Sequence, residues 1–397
     1  MASVSWSLAQ PAGGLAFFRW QISRDVDPPR VTTSARLVPM FDELSQLTAL
    51  DAPVGFEEPV LAWMADRLTR SCDRVECDVR GNLYAWQGNE PNAMTIMVTA
   101  HADEVGFMVT SVTPAGYLRV TLLGYPTVMV LPGQRVRILT QNGSLHGVFG
   151  VKPGHILSGA EARQVPELGQ LYVDVGATSA QQAAEWGIEP GTPLVFDGPL
   201  TQTATPGRVF GKAVDNRIGC LCLLELARRV NTMPDLVANV VYVVTVEEEI
   251  GLRGAAVATA HIRPDIVLAL DTVPAGGTPE LGAEELPWEI GKGPLLKVRE
   301  TRGLSTHRPL REMLRRIADQ HGIPYQLIVD TAGITDGTAA QQASGEIAAA
   351  VLGIPRRYSH SAVELFDLSD AETLVDWLAL LLPELTCREP LMRYKCL

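Results

Sequence analysis

Five places along the chain set an imidazole or a carboxylate at the end of an apolar run or the head of an apolar helix. TIMVTA ends in His101-Ala102-Asp103-Glu104, NVVYVVTV in Glu247-Glu248-Glu249, and IVLAL in Asp271; IAAAVLGIP leads to His360 in YSHS, and Asp215 in KAVDNR heads an apolar helical stretch. Singly, each has an ordinary explanation, since such groups cap turns and helix N-termini or lie in solvated loops. Three consecutive carboxylates at the end of a central strand repel one another, however, and a bound cation removes that cost. Ligands of open α/β sheets bind beyond the carboxyl ends of the strands, so a shared edge lets all five places converge. Two His with three carboxylates suit Zn²⁺, with Co²⁺ and Mn²⁺ also fitting, whereas an all-oxygen set would suggest Mg²⁺ or Ca²⁺. Five side chains around one tetrahedral ion leave no open position; shared between two divalent ions through a bridging carboxylate, they leave room for water. The chemistry expected is metal-assisted hydrolysis.

The elements needed to position these groups follow from the hydrophobic periodicity. Helices are expected over Phe41 to Leu50 and Glu57 to about Arg70, followed by a strand pair in VECDVRGNLYAW and a buried strand in TIMVTA. From 105 to 200 the pattern changes to short β-rich runs (GFMVTSV, YLRVTLLG, QRVRILT, LHGVFGV, LYVDVGA, PLVFDG) with one helix at SAQQAAEWG, which suits a small all-β barrel or sandwich. Beyond it, DNRIGCLCLLELARRV, HRPLREMLRRIADQHG and SDAETLVDWLALLLPEL read as helices. NVVYVVTV, IVLAL, YQLIVD and EIAAAVLG read as strands. The fold expected is α/β, a doubly wound mixed sheet with helices on both faces, carrying the β-rich block as an insertion. The divisions are a 1–39 extension, an α/β domain in two parts at 40–104 and 201–397, and the 105–200 insertion.

Composition narrows the function classes. With 397 residues, 46% hydrophobic and 20% charged, the chain has material for a large core and for more than one domain. A net charge of −12 without a Lys/Arg-rich run opposes nucleic-acid binding. No stretch reaches the roughly 18 to 20 consecutive apolar residues of a membrane span, so no membrane partner is expected. Six cysteines without CxxC pairs or dense spacing fit reduced thiols and a cytoplasmic location, with Cys220 and Cys222 as core residues.

Taken together, APVGFEEPV, DVRGNLYA, TAHADEVGF, GKAVDNRIG, TVEEEIGLRGA, ALDT, GKGP, GITDG and IPRRYSHSAVEL resemble, in order and spacing from about Met40 to Leu382, the tetrahedral or glutamyl aminopeptidases. These are two-metal, zinc- or cobalt-dependent peptidases, some of whose relatives carry an endoglucanase label. The resemblance implies that His101 and Asp271 hold one ion, Glu249 and His360 the other, and Asp215 bridges them. Asp103 would orient His101. Alignment on Ile-Gly-Leu-Arg-Gly makes Glu248 the general base and leaves Glu247 where the family commonly has Gln; Asn216 stands where it often has Asp. It further implies removal of N-terminal residues from short peptides by a water bridging the two ions. It also implies an inserted domain that mediates dimers, with dimers building a tetrahedral dodecamer. Other two-metal amide hydrolysis (deacylase or dipeptidase), an endoglucanase and an inactive scaffold are the rival readings. Thr335-Asp336-Gly337 lies in a glycine-flanked loop that the resemblance places near the site and that a plain turn explains equally well, and Arg217 and Arg253 read as partners of either a substrate carboxylate or nearby acidic side chains.

Overall fold

Apolar residues run almost unbroken along the central strands, and successive side chains enter opposite layers. The computed structural model describes residues 33–393, apart from 160–162, 234–235, 283, 302, 332 and 344–345. The proposed extension thus lies outside the described residues as far as residue 32. The chain opens with helices α1 (Thr33–Ala49) and α2 (Glu58–Leu68) and strands β1 (Arg74–Cys77), β2 (Leu83–Gln87) and β3 (Thr95–His101). Helix α1 starts at Thr33 rather than Phe41, and Leu37, at helical spacing from Met40, Leu44 and Leu47, packs with them against the core.

The chain then enters strands β4 (Gly106–Val112), β5 (Leu118–Leu123), β6 (Arg135–Thr140), β7 (Gly143–Phe149), β8 (Val173–Asp174), helix α3 (Ala180–Glu185) and β9 (Pro193–Phe196). The six strands close into a barrel in the order β4-β5-β8-β7-β6-β9. Its interior is filled by Phe107, Val136, Ile138, Phe149, Val173, Leu194 and Phe196, with Phe107 edge-on to both Phe149 and Phe196. Closure removes the exposed edges that a short-stranded open sheet would leave.

The remainder rebuilds the main sheet: β10 (Thr201–Gln202), β11 (Arg208–Gly211), α4 (Val214–Val230), β12 (Asn239–Thr245), α5 (Arg253–Ile262), β13 (Ile266–Pro274), β14 (Leu295–Arg299), α6 (Arg308–His321), β15 (Gln326–Val329), α7 (Asp336–Ala343), β16 (Ala348–Arg357), β17 (Glu364–Asp367) and α8 (Leu368–Leu381). The sheet order is β1-β2-β12-β3-β13-β16-β17-β11-β10, with β14 pairing both β15 and β16. Neighbours β12, β3, β13 and β16 run parallel and form its middle. On one face Val98, Val240 and Leu268 pack under α1, α2, α4, α6 and α8; on the other Met97, Val241 and Val267 meet α5 and α7. The architecture is the doubly wound mixed sheet with an inserted barrel. Helices α5 and α7 and strands β10, β11, β14 and β17, which the sequence periodicity did not mark, complete it. Among the described residues no helix is long and apolar enough to cross a membrane, and the described cysteines are free.

One buried charged network joins the barrel to the sheet. Arg217, with no exposed surface, donates to the carbonyls of Leu47, Leu50 and Ala102 at 2.8–2.9 Å and to Glu104 at 3.1 Å. Lys212 Nζ lies 2.8 Å from both Glu104 oxygens and 3.2 Å from Asp51, which in turn accepts from Arg137 of barrel strand β6 at 2.5 Å. Of the two fates open to Arg217, pairing with neighbouring acceptors is the one observed. Replacing it with Met strands those buried carbonyls, so Arg217→Met should lower unfolding stability by about 3 kcal/mol in thermal or denaturant melts; a wild-type melt would contradict this account.

Candidate metal centre

The parallel middle of the sheet sets the site, because the carboxyl ends of β3, β12, β13 and β16 reach the same edge. His101 is the last residue of β3 and stands beside Thr245, the last of β12, so Glu247–Glu249 begin just past that rung. Asp271 lies within β13 opposite Gly353, the strand continuing to Pro274. Asp215 sits at the head of α4, and His360 in the connection from β16 to β17.

These side chains converge. His101 Nε2 lies 3.3 Å from Asp215 Oδ1, 3.7 Å from Asp271 Oδ1 and 4.0 Å from Glu248 Oε2. His360 Nε2 lies 3.4 Å from Asp215 Oδ2 and 3.6 Å from Glu249 Oε1. Each oxygen of Asp215 thus faces a different imidazole. Two trios of donor atoms, His101-Asp215-Asp271 and Asp215-Glu249-His360, each close to within 4.8 Å and share Asp215; His101-Glu248-Glu249 forms a third grouping. Asp215 Oδ1 and Glu249 Oε1 are buried without a hydrogen-bond partner. Buried carboxylate oxygens are costly in that state, and a divalent cation is the partner that suits them. The donor set therefore fits two ions on either side of one carboxylate.

A surrounding layer of hydrogen bonds holds the donors. Asp103, fully buried, accepts from the amides of Glu248 at 3.1 Å and Glu249 at 3.0 Å, while its own carbonyl lies 3.1 Å from His101 Nδ1. The Glu247 amide goes to Glu57 at 3.2 Å. Thus three successive amides of the acidic triplet end on carboxylates, which turns the chain and aims Glu248 and Glu249 inward. His360 adopts a left-handed backbone (φ 56°), a conformation costing on the order of 1–3 kcal/mol outside glycine. It is held by Glu364, by Thr127, whose amide donates to its carbonyl at 3.1 Å, and by the Tyr125 carbonyl, 2.9 Å from Nδ1. Tyr125 and Thr127 belong to the barrel's β5–β6 connection, so the inserted domain completes the site. Gly124 makes this approach feasible: at φ 73°, a Cβ there would sit 3.2 Å from Glu249 Cβ.

Burial and crowding set the protonation of the cation-free cluster. Burial raises Glu249 to about 8 against the pull of His360, and raises Glu248 well above the carboxylate range, with Asp271, Glu249 and Asp336 adding to it. Burial opposes charge on both imidazoles, yet the acidic groups around them win: His101 is held well above the usual range, and His360 at about 9 chiefly by Asp215. Asp215 goes the other way. Burial would raise it, but Arg356 and then the two imidazoles bring it well below the usual range.

All seven side chains singled out in the sequence, His101, Asp103, Asp215, Glu248, Glu249, Asp271 and His360, lie in this one cluster. Two further groups were not singled out, and a third had an open role. Arg356 contacts Asp215 and donates to Thr272 Oγ1 at 2.5 Å; Glu364 accepts from backbone amides; Asp336 bonds the hydroxyls of Thr99 and Thr245. Arg356 and Glu364 stand in IPRRYSHSAVEL, where a buried cation and anion flank the histidine. Asp336, which the sequence left open between a place near the site and a plain turn, opens helix α7 and is buried, accepting from Thr245 at 2.6 Å and Thr99 at 3.3 Å. Its neighbour Gly337 has no room for a side chain, since a Cβ would meet Val351 Cγ2 at 2.4 Å. Arg253 is half exposed and 3.7 Å from Glu247.

The model of the M42 glutamyl aminopeptidase family matches residues 81–377. The lysyl aminopeptidase of Pyrococcus furiosus is 34% identical over 81% of this chain and 90% of its own length, and the glutamyl aminopeptidase of Lactococcus lactis is 32% identical over 83% and 92%. Among solved structures, an aminopeptidase from Desulfurococcus kamchatkensis superposes with a TM-score of 0.85 at 33% identity, covering 91% of this chain and 99% of that one. The Pyrococcus horikoshii TET1 peptidase, described as able to assemble into a tetrahedron or a large octahedral shell, gives 0.77 at 29% identity over 86% and 99%.

Cation uptake by these trios has to expel protons from groups that titrate near 8 and 9. Both are protonated below those values, so Zn²⁺ affinity should rise between pH 6 and 9, by about tenfold per pH unit for each proton displaced. Calorimetry in buffers of different ionisation enthalpy counts the protons, and pH-independent binding would exclude the cluster as the site.

Proposed function

The chain belongs to the M42 glutamyl aminopeptidase family, and on that premise we propose that its buried His/carboxylate cluster removes N-terminal residues from short peptides with two divalent ions bound. It is a peptide hydrolase of the metallo-aminopeptidase kind. The observation that carries the reading of the site is the pair of donor trios sharing Asp215, with oxygens left unpartnered toward the shared space. His101 and Asp271 would hold one ion, Glu249 and His360 the other, and Asp215 both. Ions bound there, Zn²⁺ or Co²⁺ with Mn²⁺ also suited, supply Lewis-acid polarisation of the scissile carbonyl, acidification of a water and an anchor for the substrate's free α-amine.

The protein's own groups do the rest. Glu248 is the general base: its carboxylate lies 4.0 Å from His101 Nε2, beside the shared space, without belonging to either trio that shares Asp215, which leaves it free to accept a proton. It takes the proton of the attacking water and passes one to the leaving amine. Asp103, gripping the amides of Glu248 and Glu249, keeps base and ligand side by side. Relatives of nearly equal identity are named for lysyl and glutamyl activities. Opposite side-chain charges are thus compatible with one reaction centre, and the loops around it set the preference.

Self-association is supported by the TET1 relative's assembly. On the barrel, Met129, Val148, Val151, Ile156 and Val165 are exposed, apolar surface that a partner subunit would cover. We place the dimer contact there, with dimers building a dodecamer.

Glu248→Gln keeps the shape of the side chain and loses the base. Turnover of aminoacyl fluorogenic substrates should fall by at least 10²–10⁴ while two ions per subunit remain by elemental analysis. Activity lost in chelator should return with Zn²⁺, Co²⁺ or Mn²⁺, and a Gln variant at wild-type rate would remove Glu248 from the mechanism. Light scattering should give a mass near twelve chains, whereas a stable monomer would overturn the assembly.

A further inference from the structure

The geometry points to Glu364 as a positioning residue that locks the second trio, acting on Asp215 and His360 as Asp103 acts on Glu248 and Glu249. Its side chain is 2% exposed. One carboxylate oxygen accepts from the His360 amide at 2.8 Å and the other from the Asp215 amide at 2.9 Å. A single carboxylate therefore ties together the backbones of two residues whose side chains face each other across 3.4 Å. The two amides come from a helix head and from the β16–β17 connection, and among their described contacts no strand rung fixes their separation.

The carboxylate is held in place by Arg356. Its guanidinium lies 3.3 Å from Glu364 Oε1, contacts Asp215 Oδ2 and donates to Thr272 Oγ1. Arg356 is itself 3% exposed, so a neutral side chain at 364 would leave a buried cation with one anion fewer. The site thus has two carboxylate clamps of the same design: Asp103 on one side spans two adjacent amides, and Glu364 on the other spans two amides 145 residues apart in the chain, from positions 215 and 360. The clamps divide the donors between them. Asp103 governs Glu248 and Glu249 with the His101 ring, and Glu364 governs Asp215 and His360.

The consequence concerns the two ions unequally. Both residues held by Glu364 belong to the Asp215-Glu249-His360 trio, but only one belongs to His101-Asp215-Asp271. Glu364→Gln turns one acceptor into an amide group that faces an N–H donor, so one of the two amides loses its partner. Groups that orient metal ligands in this way typically govern affinity by roughly 10–100-fold. The ion beside His360 should weaken by that factor, and the ion beside His101 by much less.

This inference rests on the two-ion reading, and the experiment separates the two. The full-length oligomer, stripped with chelator, is titrated with Zn²⁺ by calorimetry and with Co²⁺ by its visible absorption, for wild type, Glu364→Gln, His360→Asn and the double variant. Wild type taking up no ion would defeat the metal site itself. Wild type binding two ions, with Glu364→Gln weakened selectively at the ion that His360→Asn also weakens, and no further loss in the double variant, is the expected result. Two wild-type affinities in Glu364→Gln, or equal weakening of both ions, would overturn the role of Glu364. Should Glu364→Gln fail to fold, Glu364→Asp keeps the charge beside Arg356 but is too short to span both amides. It should show the same selective loss, and wild-type binding by it would equally overturn the proposal.

Discussion

Seven buried carboxylates, Asp103, Asp215, Glu248, Glu249, Asp271, Asp336 and Glu364, are gathered around one end of a parallel sheet. Their mutual repulsion and desolvation form the constraint the surrounding structure answers. The answers differ by position. Asp103 and Glu364 are satisfied by backbone amides, Asp336 by the hydroxyls of Thr99 and Thr245, and Asp215 by Arg356 and two imidazoles. Burial raises the proton affinity of Glu248, Glu249 and Asp271, and of Asp336 and Glu364 as well despite their hydrogen bonds. Repulsion left uncompensated by protein groups is what makes the pocket receptive to divalent cations.

The barrel is part of that solution and not only an appendage. Its β5–β6 connection presents the Tyr125 carbonyl to His360 Nδ1, which directs Nε2 toward Asp215 and Glu249. Its strand β6 also presents Arg137 to Asp51, which extends the Lys212–Glu104–Arg217 network under the loop that follows His101. Both contacts cross from barrel to sheet, so a shift of the barrel would disturb both ends of the cluster.

How far the sequence could be read depended on whether a feature was local. The central strands were legible because a short unbroken apolar run is recorded in consecutive residues, and each strand end announced its acidic group or histidine directly. Helix α5 was harder: RGAAVATAHI is rich in small residues and shows little contrast between its two faces. The role of Asp336 stayed open between site and turn, since the threonines that bind it come from strands distant in the chain. Arg217 and Glu364 stood within motifs, but the carbonyls and amides they serve lie 115 or more residues away, apart from the nearby His360 amide, and no spacing rule announces such partners.

The amino-acid sequence by itself determined the strand and helix alternation, the inserted β-rich block and the inventory of imidazoles and carboxylates, because periodicity and strand-end position are properties of neighbouring residues. Tertiary structure alone decided that Asp215 would face one histidine with each oxygen, that Arg356 would rest against it, and that two buried carboxylates would hold the donor backbones. Those contacts depend on the parallel order β12-β3-β13-β16 and on the barrel's docking, which bring together groups separated by more than a hundred residues.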